Sequence, residues 1–236
     1  MSSMTRGPWR QLWTYLRRFE ARVLIGLALA AAILWGFVAL AGAMAGGDTH
    51  AIDSRLILAL RESGDLSDPL GGRNIEEAVR DITALGGTTL VALTTLVAVL
   101  AFAFHRRPVH ALVMGGVVLA AWASSSGTKA FFSRPRPDLV PHEVHVYTGS
   151  FPSGHSTMST ACFLALAMLI ASLESRRRSK TLVYGLAALV VVGVGFSRVY
   201  LGVHWPSDVL AGWCLGSAWA LVGWVALRTL GGATRG

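Results

Sequence analysis

Six apolar runs constrain the fold of this chain more than any other feature of its sequence. Each is close to the roughly 20 residues that an α-helix needs to cross the ~30 Å hydrocarbon core of a bilayer. Charged residues make up only 14% of the chain, whereas soluble domains carry roughly 25%. We therefore predict an all-α fold, a six-transmembrane-helix bundle that forms one membrane domain at residues 23–228. The runs span residues 23–45, 82–104, 109–127, 157–173, 182–201 and 206–227.

The segment before the first run is predicted to form an amphipathic helix. Its apolar side chains recur at helical spacing, while Arg10, Arg17 and Arg18 occupy other faces. Such a helix either lies in the membrane interface or packs against the cytoplasmic ends of the bundle. We assign it to a cytoplasmic N-terminal segment at residues 1–22. Its apolar positions are Trp9, Leu12, Trp13, Leu16 and Phe19.

The first run also has features of a cleavable signal peptide. Basic residues precede it, and an Ala43-Met44-Ala45 triplet at its end resembles a cleavage site. The apolar part of a signal peptide covers only about 7–15 residues, and this run is longer. A retained membrane span is therefore the favoured interpretation.

Basic residues outside the runs predict the orientation of the chain. Most Lys and Arg fall on the side of the N-terminus, and acidic residues other than Glu20 and Glu174 fall on the opposite side. By the positive-inside rule, both termini, including a tail at 229–236, are cytoplasmic, and three loops face the periplasm or cell exterior. The net charge of +8 then reflects topology and contact with anionic lipid headgroups. No nucleic-acid partner is expected, and the predicted location is the inner (plasma) membrane.

The first outward loop, residues 46–81, is long and acidic. Apolar spacing predicts one short helix in it, and residues 76–80 belong to a second helix that leads into the next span. The loop is either a lid or rim near a site, or a plain connector. The apolar positions of the first helix are Ile52, Leu56, Ile57 and Leu60.

Three polar, basic segments lie at predicted ends of the spans. Residues 129–137 close span 3, residues 151–155 open span 4, and residues 197–208 join span 5 to span 6. Ends of odd-numbered spans and starts of even-numbered spans lie on the same membrane face. We therefore expect the three segments to meet in one site at the outward face.

The residue types in these segments suit a phosphate group. A phosphate monoester carries about 1.5 to 2 negative charges at pH 7, and Lys129, Arg136 and Arg198 supply cations. Ser153 and Gly154 lie at the predicted N-terminus of span 4, where free backbone N–H groups and the helix dipole bind anions. Because Gly154 has no Cβ, the backbone can approach the anion closely. These five are the predicted phosphate-binding residues.

Two histidines and an aspartate supply the predicted chemistry. His204 and Asp208 are four residues apart, which places them on one face if span 6 begins near Pro206. A carboxylate bonded to one imidazole nitrogen fixes the tautomer and leaves the other nitrogen free to attack. We predict that His204 is the nucleophile and Asp208 its orienting partner. His155 then protonates the leaving oxygen and later activates the water that cleaves the phosphohistidine.

No metal or other cofactor is expected. The three cations already neutralise a phosphate, and the outward loops lack a carboxylate cluster of the two-metal type. Cys162 and Cys214 fall inside predicted spans, where we expect small buried apolar side chains rather than a disulfide or a metal site.

Several neighbours remain possible members of the site. Arg134 is either a fourth phosphate ligand or a mere neighbour of Arg136, and Ser197 is a possible hydrogen-bond donor to the phosphate. Three residues of the loop before span 4 are candidates to line the site, although bystanders are the favoured interpretation. They are His142, His145 and Tyr147.

Three motifs occur in order along the second half of the chain. They are Lys-x6-Arg-Pro from Lys129, Pro-Ser-Gly-His from Pro152, and Ser-Arg-x5-His-x3-Asp from Ser197. Together they resemble the signature of the type 2 phosphatidic acid phosphatase family. The resemblance implies a six-helix membrane fold, metal-independent removal of phosphate from a lipid, and the residue roles given above.

The resemblance also implies a class of substrate. Bacterial members of similar size and topology act on undecaprenyl pyrophosphate, phosphatidylglycerol phosphate, phosphatidic acid or lipid A phosphates, and the motifs do not choose among these. The expected partners are therefore a membrane lipid substrate and the lipid bilayer.

Two other functions share parts of this pattern. Vanadium-dependent haloperoxidases resemble the same signature, because vanadate mimics phosphate, but they are typically soluble and larger. A non-catalytic lipid-phosphate binder or transporter predicts altered catalytic residues, whereas His155, His204 and Asp208 are all present. A membrane phosphatase, that is a phosphoric monoester or diphosphate hydrolase, is the favoured prediction.

Overall fold

The computed structural model of the protein describes the backbone of residues 8–140 and 149–233 and the side chains of residues 21–140 and 149–230. These residues form a helical body with one small sheet. In chain order the elements are α1 (Pro8–Ala45), α2 (His50–Leu58), β1 (Arg61–Glu62), β2 (Asp65–Pro69), α3 (Gly72–Ala84), α4 (Thr88–Phe104), α5 (Pro108–Phe132), α6 (Gly154–Leu173), α7 (Arg177–Tyr200) and α8 (Pro206–Ala233).

The described helices confirm a multi-pass membrane protein of all-α type. Five segments are long and apolar enough to cross a bilayer, and a bent pair, α3 with α4, gives a sixth if it is counted as one span. Helix α4 alone has 17 residues, or roughly 25 Å at 1.5 Å per residue, which is short for a full crossing. The five segments are Ala21–Ala45, Pro108–Phe132, Gly154–Leu173, Arg177–Tyr200 and Pro206–Leu230.

Helix boundaries differ from the predicted ones at several places, three of which change the architecture or the ends of the chain. Helix α1 runs without interruption from Pro8, so the predicted N-terminal segment is continuous with the first span. The side chains of residues 9–19 lie outside the described residues, and their amphipathic arrangement stays a prediction. Helix α8 extends to Ala233, past the predicted end at residue 227. The second run is broken rather than straight, with a bend of 46° at two successive glycines, Gly86 and Gly87, which favour helix poorly.

The loop at residues 46–81, predicted to face outward, is built from more than the two predicted helices. Helices α2 and α3 flank an antiparallel hairpin in which Arg61 pairs with Pro69, and this hairpin was not predicted. The loop is fixed to the end of α7 by two hydrogen bonds. The guanidinium of Arg61 donates to the carbonyl of Tyr200 at 2.8 Å, and the Tyr200 hydroxyl donates to the carbonyl of Leu70 at 2.7 Å.

Helices α6 and α8 pack at the centre of the bundle. Their close approach depends on Gly212 and Gly216, a pair of glycines four residues apart on α8. A Cβ on Gly216 would lie 2.6 Å from the carbonyl oxygen of Thr157, and one on Gly212 would lie 2.9 Å from that of Ser153. Small residues of this kind let helix backbones meet inside a membrane. The first turns of α6 and α8 therefore come together at the same end of the bundle.

Candidate active site

The three polar segments lie together at one end of the bundle. The end of α5 contacts the segment before α6, because Nζ of Lys129 donates to the carbonyl of Gly149 at 2.8 Å. The start of α6 contacts the start of α8, where the N–H of Ser153 donates to the carbonyl of Asp208 at 2.9 Å. This arrangement brings the polar side chains of the three segments into one cluster.

His204 lies in the turn between α7 and α8 and is buried. Its Nδ1 is 3.4 Å from Oδ2 of Asp208, and its Nε2 is 3.1 Å from a terminal nitrogen, NH1, of Arg136. A guanidinium has only donors, so its contact with the ring requires a lone pair on Nε2. We therefore assign the proton to Nδ1, which donates to Asp208 and leaves Nε2 as the basic atom.

Asp208, in the first turn of α8, is buried and bound at both oxygens. Its Oδ2 accepts from the N–H of Trp205 at 3.0 Å and from the hydroxyl of Ser150. Its Oδ1 accepts from Arg134 at 2.6 Å. A carboxylate held at both oxygens is fixed in orientation, and it fixes in turn the imidazole that donates to it.

Two guanidiniums set the charge around both histidines. Arg136 and Arg198 each lie within electrostatic range of His155 and of His204. Arg198 is buried at the end of α7, where it donates to the hydroxyl of Thr83 at 2.9 Å. Its Nε, also buried, has no hydrogen-bond partner among the described residues. A buried cation with a donor still available suits an anionic ligand.

The first turn of α6 is the predicted anion site. Ser153 is the N-cap of this helix, and its hydroxyl oxygen accepts from the N–H of Ser156. A Cβ on Gly154 would lie only 3.5 Å from Cε of Lys129, so the lysine side chain passes close to the backbone of the first turn. Free N–H groups, the positive end of the helix and an ammonium thus lie at one point.

His155 lies under the break between α3 and α4. A Cβ on Gly86 would come within 3.0 Å of the carbonyl oxygen of His155, and one on Gly87 would lie 3.9 Å from its Nε2. The two glycines of the break therefore pack directly against this histidine. The bend in the second predicted run is thus part of the wall around the site.

The possible members of the site have other contacts. The Arg134 guanidinium lies between two carboxylates, 2.6 Å from Asp208 and 2.9 Å from Asp53. The hydroxyl of Ser197 donates to the carbonyl of Val194 within α7 at 2.7 Å. Arg134 thus pairs with two carboxylates, and a further role as a phosphate ligand stays a prediction. Three further candidates lie outside the described residues, namely His142, His145 and Tyr147.

Two residues of this cluster were missed by sequence reasoning. Asp53 reaches it from α2, and Ser150 lies 3.3 Å from Nδ1 of His204 while donating to Asp208. A signal for Asp53 exists, because it precedes Ile57 by four residues and so shares the apolar face of the predicted helix. The side chains of Asp53 and Ile57 are both buried. Ser150 lies just before the Pro-Ser-Gly-His motif and follows no pattern of its own.

The described part of the chain brings no three His, Cys, Asp or Glu side chains together in a group that could hold a metal ion. Metal-independent chemistry stays a prediction, which rests on the cations already described.

The second half of the chain matches a known protein family. The model of the PAP2 superfamily matches residues 110–231, a range that includes every residue of the three motifs.

Individual relatives are similar over more than half of this chain. It is 34% identical over 143 residues to phosphatidylglycerophosphatase B of Bacillus subtilis, which covers 60% of this chain and 70% of the relative. It is 36% identical over 138 residues to decaprenylphosphoryl-5-phosphoribose phosphatase of Mycobacterium tuberculosis, covering 57% and 70%. A crystal structure of a transmembrane PAP2 type phosphatidylglycerolphosphate phosphatase from Bacillus subtilis matches with a TM-score of 0.72 and 27% identity, covering 82% of this chain and 93% of that one.

Proposed function

This chain belongs to the PAP2 superfamily, and from that membership we propose that it is a membrane phosphatase that hydrolyses phosphate from a lipid through a phosphohistidine on His204. One observation carries the proposal. The Nδ1 side of His204 faces the carboxylate of Asp208, while its Nε2 faces the cations of the site. That arrangement places a nucleophilic nitrogen beside the cations that would bind a phosphate.

The first step transfers the phosphoryl group to the enzyme. Lys129, Arg136, Arg198 and the first turn of α6 hold the non-bridging oxygens and the charge that builds on them. Nε2 of His204 forms the P–N bond as the bond from phosphorus to the lipid oxygen breaks. The negative charge of the bound phosphate stabilises the protonated form of His155, which gives its proton to that leaving oxygen.

The second step releases inorganic phosphate. His155, now neutral, takes a proton from water, and the water oxygen attacks phosphorus as the P–N bond breaks. The bonding electrons return to Nε2 of His204, so the enzyme regains its starting state. Asp208 stabilises the positive imidazole of the phosphohistidine without accepting its proton.

The protonation state of His204 suits this role. Burial lowers the pKa of His204 to about 3, and the charges of Arg198 and Arg136 act in the same direction, against the opposing effect of Asp208. The imidazole is therefore neutral at physiological pH. Its Nε2 lone pair is available for attack without prior loss of a proton.

We propose an orientation with the site at the outer face of the inner (plasma) membrane. If α3 and α4 form one bent span, six spans place both termini on one side, and the distribution of Lys and Arg favours the cytoplasm for that side. The N-terminal segment 1–22 and the tail 229–236 are then cytoplasmic, and the loop 46–81 faces outward.

The proposed substrates are lipids with a terminal phosphate or pyrophosphate. Relatives are named for phosphatidylglycerophosphate and decaprenylphosphoryl-5-phosphoribose, and the wider class includes undecaprenyl pyrophosphate, phosphatidic acid and lipid A phosphates. An apolar cavity of about 520 Å³ between α1 and α5 supports a lipid substrate. It is lined by Phe37, Phe131 and Thr128, the last of which adjoins Lys129, so a hydrocarbon chain there would lie beside the phosphate site.

A phosphate-release assay on purified protein in detergent tests the proposal. We expect release from at least one member of a panel of lipid phosphates and pyrophosphates, together with acid-labile radiolabelled phosphate on the enzyme after rapid quenching. His204→Ala should abolish both phosphate release and the phosphoenzyme. His105 is an exposed histidine in the loop before α5, and His105→Ala should change neither signal. Full activity of His204→Ala, or turnover with no phosphoenzyme at saturating substrate, would overturn the proposed mechanism.

A further inference from the structure

Asp53 ties the first outward loop to the end of the bundle that carries the candidate site. It lies on the short helix α2, yet its side chain is only 2% exposed. Burial of an unpaired carboxylate costs several kcal/mol or more, so its partners must compensate its charge. Those partners are Arg134 and Ser207, and both adjoin the His204–Asp208 pair.

The first connection from Asp53 runs through Arg134. One terminal nitrogen of this guanidinium lies 2.9 Å from Oδ2 of Asp53, and the other lies 2.6 Å from Oδ1 of Asp208. The guanidinium also lies over the ring of Trp205, 5.3 Å from its centroid. A planar fork held by two carboxylates and a ring face has one orientation, and that orientation sets where Oδ1 of Asp208 is bound.

The second connection runs through the backbone at the start of α8. Oδ1 of Asp53 accepts from the N–H of Ser207 at 2.9 Å, and Oδ2 accepts from its hydroxyl at 2.6 Å. First-turn N–H groups lack partners within their own helix, so Asp53 supplies from α2 what an N-cap side chain usually supplies locally. Ser207 directly precedes Asp208, and this contact fixes the turn that carries the carboxylate.

We propose that Asp53 is a positioning residue for the nucleophile, which it fixes by holding Asp208 through Arg134 and through the first turn of α8. The inference rests on the proposed role of His204. The side chain of Asp53 binds Arg134 and Ser207, and neither of these is among the residues assigned to the phosphate or to the attack. Its removal should therefore slow the attack by His204 more than it weakens the binding of the substrate.

Asp53→Asn tests this role, since it removes the charge and keeps the size of the side chain. The amide oxygen can still accept from Ser207, but the second position loses its negative charge toward Arg134. We expect the rate constant for phosphohistidine formation to fall about 10- to 100-fold, in the range that small misplacements of a reacting group produce. KM should change less than about threefold, because the residues assigned to phosphate binding remain in place. Asp48 is an exposed aspartate of the same loop, and Asp48→Asn is the matched control that should behave as wild type.

Rapid-quench measurement separates positioning from folding. The probe is the radiolabelled lipid phosphate that the wild type hydrolyses fastest. A positioning role predicts a lower rate constant of phosphoenzyme formation, whereas a merely structural role predicts a smaller burst with an unchanged rate constant. An unchanged rate constant in Asp53→Asn would overturn the inference while leaving the proposed function intact. Absence of any burst in the wild type would instead overturn the phosphohistidine mechanism, and this inference with it.

Arg134→Lys provides a second test of the inference if Asp53→Asn does not fold. A lysine keeps the positive charge, but a single ammonium cannot hold two carboxylates in the geometry of the fork. The rate constant of phosphoenzyme formation should again be lower than in the wild type. A wild-type rate constant in this variant would show that the bridge between Asp53 and Asp208 is not needed, and the inference would fail.

Discussion

A single nitrogen of Arg136, NH1, lies 2.7 Å from the carbonyl oxygen of Val203 and 3.1 Å from Nε2 of His204. The same guanidinium therefore fixes the backbone beside His204, the proposed nucleophile, and donates to the lone pair that would attack phosphorus. A phosphate oxygen is a stronger acceptor than a neutral ring nitrogen, because it is charged. Binding of substrate should draw the donor toward the phosphate and free Nε2 at the moment when it is needed.

Arg136→Lys should lower kcat/KM by about 100-fold, the lower end of the 10²- to 10³-fold losses that follow removal of one transition-state donor. Lysine retains the charge but not the fork that reaches a carbonyl and an anion at once. Steady-state phosphate release measures the effect, with Arg107→Lys, an exposed residue in the loop before α5, as the control. A loss smaller than threefold would mean that charge alone matters at this position.

Acid should destabilise the folded protein through His204. Its pKa is lowered by burial to about 3, whereas an unfolded histidine titrates near 6.5. Between these values the unfolded chain binds the proton and the folded chain does not, so stability falls as pH drops below about 6.5 and levels off below the folded pKa. One such proton accounts for at most about 1.4 kcal/mol per pH unit.

The apparent melting temperature in detergent at pH 7 and pH 5 checks this dependence on His204. His204→Asn keeps a donor toward Asp208 but cannot be protonated in this range, so its melting temperature should fall less between the two pH values than that of the wild type. His105→Asn should retain the wild-type dependence. Equal falls in the wild type and in His204→Asn would mean that other groups carry the effect of acid.

The sequence made the meeting of the three motif segments predictable, but not the contacts that support them. Alternation of span direction is a local deduction, and it needs only the order of helix ends along the chain. The pairing of Asp53 with Arg134 joins residues 81 positions apart and depends on how the loop at residues 46–81 packs against the end of the bundle. Ser150 has the same character, because a lone serine before the Pro-Ser-Gly-His motif carries no periodic signal.

The bend between α3 and α4 escaped prediction for another reason. Hydropathy measures how apolar a run is, and the run at 82–104 contains no charged residue, so its hydropathy gives no information on the direction of the helix axis. Gly86 and Gly87 were the available signal for a break. The reason for Gly86 becomes visible only in the structure, where a Cβ would lie 2.5 Å from a methyl group of Val194 and 3.0 Å from the carbonyl oxygen of His155.

Removal of divalent metal should leave the activity unchanged. Lys129, Arg136 and Arg198 already provide the positive charge that metal ions provide in two-metal phosphatases. Phosphate release should proceed at the wild-type rate in excess EDTA, while a zinc-dependent phosphatase treated in parallel loses its activity. Strong inhibition that one added metal reverses would contradict the metal-free mechanism.

The contact between Gly216 of α8 and α6 should be essential to both stability and activity. A Cβ there would lie 2.6 Å from the carbonyl oxygen of Thr157 and 2.9 Å from the backbone nitrogen of Ala161. Neither is a flexible side chain that can move away, so Gly216→Ala must push the two helices apart, at a cost of about 1–3 kcal/mol. Helix α6 carries His155 and helix α8 carries Asp208, so their separation should also reduce kcat.

Gly116→Ala provides the matched control for this substitution. Gly116 lies in α5, and a Cβ there would have no heavy atom within 4 Å beyond its chain neighbours and the backbone of its own helix, so alanine should be neutral or stabilise the helix by up to about 1 kcal/mol. Apparent melting temperature in detergent and kcat, measured side by side, should separate the two variants. If Gly216→Ala keeps the melting temperature and kcat of Gly116→Ala, then α6 and α8 tolerate a wider spacing. In that case, the alignment of His155 with Asp208 must depend on the loop contacts of Asp53 and Ser150 rather than on the helix crossing.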